Sequence, residues 1–295
     1  MSSQLSAVSK NRIQKSGVRI QNSAIRISSG SWILSPVFLF FFLFLLSLLT
    51  FARNVVWSTD GSLWKDCVDN SPRKARAYRI YADSLKKEND PEKAIFYYQS
   101  SLRLDPRSPL AYNNLGVVLE DRGDLDQSGS LYRKALTLWP TYPDALNNLG
   151  NIYLKKGVVD QAIDYFKRAT ELKRDPDYCY NLGTAYQHKE QWDNAIIWIE
   201  KALKINDDLE YAHNNLGVNY WKKGLYNQAL AEFKRALEIK PDFVDAHANL
   251  GLFYYLIYKD NSRALFHLNR AITIAPNHPQ AGMLRVVVEE IQRKG

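Results

Sequence analysis

The chain of 295 residues has only two cysteines, Cys67 and Cys179, and two methionines. Two thiols make neither a disulfide framework nor a zinc-ligand spacing, and both read as buried or incidental. No Gly-x-Ser-x-Gly turn and no phosphate-cradling glycine loop occurs, so nucleophilic catalysis has no support. The chain reads as a non-enzyme, with no cofactor and no metal ion expected. Acid is missing from residues 1–31 altogether, while Lys10, Arg12, Lys15, Arg19 and Arg26 in that stretch supply five of the eight net positive charges. The remainder is nearly balanced. That argues against a nucleic-acid partner, whose binding body would carry a basic stripe.

Charge of either sign is then absent between Arg26 and Arg53, and six of the twelve phenylalanines fall between Phe38 and Phe51. Residues 1–31, rich in Ser and Arg, read as a basic disordered tail; a transit peptide shares that composition. Residues 32–52 predict a transmembrane helix, because about 20 apolar helical residues reach across a bilayer core. Val37–Leu46 is Phe/Leu-rich on all sides and has no polar face for a soluble helix. The cations lie mostly before the span, so the positive-inside rule puts the N-terminus in the cytoplasm and the rest on the non-cytoplasmic side. Trp32, Trp57 and Trp64 are candidates for the two interfaces. A cleaved signal peptide is the rival reading, but the leader is long and the apolar run spans fully, which favours an uncleaved single-pass anchor.

The rest of the chain is periodic. Asn113-Asn114-Leu115-Gly116, Asn147-Asn148-Leu149-Gly150, Tyr180-Asn181-Leu182-Gly183, Asn214-Asn215-Leu216-Gly217 and Ala248-Asn249-Leu250-Gly251 follow one another at a near-constant spacing. A spacing in the range of ~20–50 residues marks stacked helical units that bury a core only between neighbours. The fullest unit places Leu216-Gly217, Tyr220, Gly224, Ala229, Phe233, Ala236 and Pro241 at fixed offsets. A degenerate first unit fits ahead, with Tyr81-Ala82, Leu85, Ala94, Tyr98, Ser101 and Pro106. The small residues predict a close crossing of two helices. Gly123, Gly157 and Gly224 predict left-handed ends of the first helix, and the prolines stop the second. Asp124, Asn194 and Asn227 are candidates to cap or lead that second helix. The unit that starts near Asn147 is one residue short. The one containing Gly251 has an extra residue before Ala264, and the unit containing Gly183 has Glu190 where a turn glycine is expected. Ala281, Leu284, Val287/Val288 and Ile291 at helical spacing predict a polar-backed cap over 278–295.

This cassette resembles the tetratricopeptide repeat, a helix-turn-helix unit whose period is about 34 residues. The resemblance implies an all-α solenoid of six repeats over residues 75–277, closed by the capping helix and preceded by the one transmembrane helix. It further implies that the first helix of each repeat lines a concave groove. Between span and repeats, residues 53–74 form a juxtamembrane linker: Trp57, Leu63-Trp64, Asp66, Ser71-Pro72 and Ala75-Arg76 read as an amphipathic connector, with Ser71-Pro72 starting the first repeat helix. The linker and span also resemble the C-terminal part of membrane proteins that join many spans to tetratricopeptide repeats, among them O-mannosyltransferases. Their many spans and acidic catalytic loop are missing from this sequence, so no catalytic residue carries over.

The candidate site is the asparagine column. Asn114, Asn148, Asn181, Asn215 and Asn249 share one position on successive first helices. An amide donates and accepts, so such a ladder can pair with an extended peptide backbone without reading its sequence. Asn147, Asn151 and Asn214 join it, with Tyr180, Tyr211, Trp221 and Tyr255 as neighbours. The plainer reading is that these amides only bond locally. His213 and His247 also recur one period apart and could approach each other, although Tyr78, Tyr112, Leu146 and Cys179 share their slot, which marks it for packing. The Lys/Arg clamp that captures chaperone tails in this family is absent, with Asn113 and Val117 at its positions. The expected function is a membrane-anchored scaffold that binds a polypeptide partner in its groove. The alternative, an accessory or substrate-presenting component of a membrane protein-glycosylation system partnered with a glycosyltransferase, rests on the linker resemblance.

Overall fold

The computed structural model describes residues 36–56 and 59–294. The predicted basic tail over 1–31, residues 32–35 of the predicted span, and Trp32 and Trp57 lie outside the described residues. The chain divides into two compact units at Val55/Val56. In the first, α1 runs over Pro36–Val56, and every described side chain from Leu39 to Phe51 is exposed. Among the described residues, no helix is long and apolar enough to cross a membrane.

The second unit is all helical among the described residues. It begins with α2, Asp60–Asn70, where Thr59 and Ser62 exchange hydrogen bonds as a capping box. Six helix pairs follow: α3 Ala75–Lys87 with α4 Pro91–Leu104, α5 Pro109–Asp121 with α6 Leu125–Leu138, α7 Pro143–Lys155 with α8 Val159–Leu172, α9 Pro176–His188 with α10 Trp192–Leu203, α11 Glu210–Lys222 with α12 Tyr226–Ile239, and α13 Val244–Phe253 with α14 Asn261–Ile274. The last, α15 over Ala281–Lys294, buries Ala281, Leu284, Val288 and Ile291.

Each pair is held by one tight crossing. A methyl group built on Gly116, Gly150, Gly183, Gly217 or Gly251 would lie 2.6–2.8 Å from Tyr132, Phe166, Ile199, Phe233 or Leu268, respectively. Those five partners are themselves fully buried. The opposing Ala162, Ala195, Ala229 and Ala264 have no exposure either. The helices therefore pack at the distance that glycine and alanine allow.

The turn inside each pair needs one left-handed residue. Gly123, Gly157 and Gly224 have φ between +74° and +86°, and Asn89, Glu190 and Lys259 take φ of 54–60° at the same place. Repeat four thus keeps the turn without glycine. Neither Asp124, Asn194 nor Asn227 caps the helix that follows: Asp124 sits at the N-cap without a side-chain bond, and the other two lie inside their helices. The extra residue in repeat six is absorbed by a π-helix over Tyr254–Tyr258, appended to α13. Widening one turn lets Leu268 keep its place against Gly251.

The connector predicted over 53–74 is mostly helical: α1 runs into it as far as Val56, and α2 covers Asp60–Asn70. Val68 of α2, with Trp64 and Cys67, packs into the core formed by Tyr81, Ala82 and Leu85. Ser71 closes α2, and α3 starts at Ala75 behind Lys74, so the expectation that Ser71-Pro72 opens the first repeat is corrected. The packing of Cys67 and Val68 keeps α2 helical to Asn70, and the next residues are spent on a turn in which Lys74 N–H donates to the Ser71 carbonyl at 3.1 Å.

Replacing Gly217 with Ala puts a methyl 2.8 Å from Phe233 and 3.2 Å from the Ala229 carbonyl. The variant is expected to lose about 1–3 kcal/mol in denaturant unfolding. An unchanged midpoint would refute the crossing as the tight point.

Candidate binding groove

The first helices define the inner face. Each touches the next along the array (α3 with α5, α5 with α7, α7 with α9, α9 with α11, α11 with α13), whereas second helices make no comparable contact with one another. A stack that is tighter on one side curves toward that side. The asparagine column lies on these inner helices.

The structure gives every column amide a specific partner in the preceding repeat. Asn114 Nδ2 donates to Asp83 Oδ1 (2.7 Å), Asn148 Nδ2 to Asn113 Oδ1 (3.1 Å), and Asn181 Nδ2 to Asn147 Oδ1 (2.9 Å). Asn215 Nδ2 donates to the Tyr180 hydroxyl (2.8 Å) and Asn249 Nδ2 to Asn214 Oδ1 (3.0 Å). Asn113, Asn147 and Asn214 are buried, so they serve as acceptors inside the joint. Asn113 also donates to Asn114 Oδ1 (3.2 Å), and this links Asn148, Asn113, Asn114 and Asp83 in one relay. Tyr98 donates to the same Asp83 oxygen at 2.6 Å, and Arg79 pairs with its other oxygen.

This arrangement leaves at least half of each column amide unspent, since among the described residues only Asn114 and Asn215 also accept at Oδ1, from Asn113 and Asn214. An amide has two N–H donors and an oxygen with two lone pairs. One N–H is committed to the neighbour, while among the described residues Asn148, Asn181 and Asn249 accept nothing at Oδ1. The committed bond fixes the orientation of the amide. Asn151 is half-buried beside them and makes no side-chain hydrogen bond among the described residues.

A second ladder runs along the helix turns. Arg122 pairs with Glu92, Lys156 with Asp126, Lys189 with Asp160 and Lys223 with Asp193, each across one repeat boundary. Exposed pairs of this kind contribute little individually. At the next rung the π-helix delivers Tyr258, which faces Asn227.

His213 and His247 do not meet. Each is buried and bonds the second helix of its own repeat: His213 Nδ1 lies 2.6 Å from Glu232 Oε2, and His247 Nδ1 lies 2.9 Å from His267 Nδ1. The carbonyls of Asp207 and Pro241 take the other ring nitrogens, at 3.0 and 2.9 Å. Burial works against charge on His213, but Glu232 and the Asp207 carbonyl outweigh it, and its pKa is raised. Burial lowers His247, and burial followed by His247 pushes His267 down to about 4. Among the described residues no three His, Cys, Asp or Glu side chains converge on a metal position.

Polar atoms without partners cluster at the boundary between repeats four and five. Thr184 Oγ1, Gln187 Oε1 and both amide atoms of Asn219 are buried and unbonded. The Thr184 hydroxyl stands near the Tyr180 phenol, whose pKa burial raises, but outside hydrogen-bond geometry. Thr184 and Gln187 line a pocket of about 380 Å³ with His188, Glu190, Trp192 and the column residue Asn215. Asn219 stands two residues after Gly217, where Val118, Ile152, Ala185 and Phe253 stand in other repeats. The repeat period could have exposed Asn219 as the exception; the pocket was beyond it, because it joins residues from two repeats.

Comparison with known proteins agrees with this geometry. Models described as tetratricopeptide repeat match residues 75–108, 108–175 and 176–209, and one described as TPR repeat matches 219–257. The chain is a tetratricopeptide-repeat solenoid. Among solved structures, the Cut9–Hcn1 hetero-tetramer of the APC/C is similar with a TM-score of 0.70 and 24% identity, over 78% of this chain and 45% of that one. This chain thus spans under half of that chain's length. YrrB, described as a TPR protein with an unusual peptide-binding site, gives a TM-score of 0.51 and 26% identity over 65% of this chain and 97% of that one. PilF of Pseudomonas aeruginosa gives 0.63 and 18% identity over 72% and 97%. No curated protein matches. The resemblance of the linker and span to O-mannosyltransferase-like proteins gains no support from these matches.

Two measurements probe the buried groups. The neutral His267 ring takes a proton less readily in the fold than in the unfolded chain, where its pKa is near 6.5. Stability is then complete above that value and lost as pH falls toward 4. The raised pKa of His213 acts oppositely, adding stability below 6.5 that is lost as pH rises through its folded value. Denaturant midpoints taken from pH 7 to 4.5 should fall less for His267→Phe than for the parent; parallel curves would exclude the pair as the cause. Asn219→Val removes two unbonded buried atoms and is expected to gain about 1–3 kcal/mol, read as a rise in the denaturant midpoint.

Proposed function

We propose that this protein is a scaffold that holds an extended polypeptide segment along its concave groove, with residues 32–52 as the membrane anchor and the repeats on the non-cytoplasmic side. The observation that carries the binding reading is the asparagine column. Five amides at one repeat spacing are each fixed by a bond to the preceding repeat, and three keep a free carbonyl oxygen. A peptide backbone offers alternating N–H and C=O groups, which such amides satisfy whatever the sequence. Because the amides are already oriented, little side-chain freedom is lost on binding. The likeness to YrrB, whose structure is described by its peptide-binding site, favours a polypeptide ligand. The anchoring reading draws on the uncharged window from Ile27 to Ala52 and on the exposed apolar side chains of α1.

A pool of random eight-residue peptides, titrated by fluorescence anisotropy against the full chain, tests the groove. Replacing Asn148, Asn181 and Asn215 together with Ala is expected to weaken binding at least about tenfold, since each lost backbone hydrogen bond contributes about 0.5–1.5 kcal/mol. The same pool with N-methylated backbones should bind as poorly to the parent. Binding retained in both cases would move the site off the column. Circular dichroism controls for the inter-repeat bonds that the substitutions also remove. Protease treatment of sealed vesicles tests the anchor: digestion of the repeats from the cytoplasmic face would reverse the orientation.

A further inference from the structure

The groove is not uniform, and the pocket lined by Thr184 and Gln187 has a chemistry of its own. In repeats two to six, the groove positions one and four residues after the crossing glycine are Val117/Glu120, Asn151/Leu154, Thr184/Gln187, Val218/Trp221 and Leu252/Tyr255. Among these five, repeat four is the one with two uncharged hydrogen-bonding side chains. Those are the side chains whose oxygens are buried and unbonded. An unbonded buried oxygen costs about 1–3 kcal/mol, which a ligand that donates to it would recover.

The walls set the sign of that ligand. Glu190 stands at the rim with φ of +55°, its carboxylate outside every ion pair among the described residues. Trp192 supplies an aromatic wall. Lys189, the nearest cation in sequence, is turned away to Asp160 at 2.6 Å. The pocket therefore offers acceptors, a negative charge, an indole and the His188 imidazole, with no ammonium or guanidinium to receive an anion. An apolar side chain would leave Gln187 Oε1 unbonded. A carboxylate would face Glu190.

We propose that the pocket between repeats four and five is a subsite for a cationic side chain of the bound polypeptide, arginine ahead of lysine. The inference rests on the groove reading above and specifies which ligands that groove prefers. A guanidinium carries five N–H donors in a plane. It can pair with the exposed Glu190 carboxylate while its face lies on Trp192, and rotation of the Gln187 and Thr184 side chains would bring their oxygens to its remaining N–H groups. Asn215 lines the same pocket, so the amide that would hold the backbone and the groups that would read the side chain share one wall. Column amides elsewhere supply sequence-independent affinity, and this pocket sets the register.

The test is a positional-scanning library of eight-residue peptides, each pool fixed to one amino acid at one position and random elsewhere, bound to the full chain. Pools fixed to Arg, then Lys, should exceed Glu pools at least about tenfold at one position. Glu190→Gln and Gln187→Leu should each flatten that preference while total pool binding persists, and Glu190→Lys should turn it toward Glu. Melting curves confirm that the exposed Glu190 variants remain folded. If pools bind but no position selects a cation, or if Glu190→Lys leaves the preference intact, the subsite is overturned and the groove stands. If no pool binds the parent, the groove reading falls and takes the subsite with it.

Discussion

Inside repeats two to six the two helices meet at a point where a methyl group does not fit, and in repeat one they meet at Ala82. The rest of the second unit depends on that constraint. Glycine or alanine at the crossing brings the backbones together, and Tyr98, Tyr132, Phe166, Ile199, Phe233 or Leu268 fills the space beside it with no exposure. A pair built this way is flat enough to stack, and its remaining apolar surface is covered only by the next pair. The same geometry turns the first helices inward, because they touch along the array and the second helices do not. The groove is thus a product of the crossing, and the asparagines inherit their alignment from it.

Polar groups then divide the work between holding and offering. Each column amide spends one N–H on the preceding repeat. Asn113, Asn147 and Asn214 have been drawn into the joint as acceptors, which explains why two adjacent asparagines recur in the cassette. The local-bonding and ligand-binding readings of the column are therefore compatible: the first bond orients the group that makes the second. The boundary between repeats four and five departs from the pattern, with Tyr180 as acceptor, Asn219 unbonded in an apolar slot, and an acceptor-lined pocket in the groove.

Much of this was legible from the period alone. Leu, Gly, Ala and the aromatics recur at fixed offsets because the same close contact is made six times, and α15 announced itself through Ala281, Leu284, Val288 and Ile291. What the period could not reveal depends on rotation and on breaks in the repeat. His213 and His247 occupy the same slot in neighbouring repeats, yet each turns toward its own second helix. The extra residue before Ala264 was visible as a count, but only the backbone shows it absorbed by a π-helix. The linker helix α2 has too few residues for a periodic signature. The roles of Asn113, Asn147 and Asn214 depend on which way each helix is turned about its axis.

The bonds of the asparagine column all point one way, from a repeat to the one before it. Each boundary is therefore a plug and a socket of the same make, and a repeat from the middle of the array carries both. Whole units can be duplicated or lost without redesign of the junctions, provided they are counted in complete periods. The first and fourth repeats are the exceptions, since their sockets are the Asp83 carboxylate and the Tyr180 phenol instead of an amide. A duplication that includes the fourth would copy the polar pocket too, so the spacing between such pockets, and not the number of repeats, would mark how this array has grown.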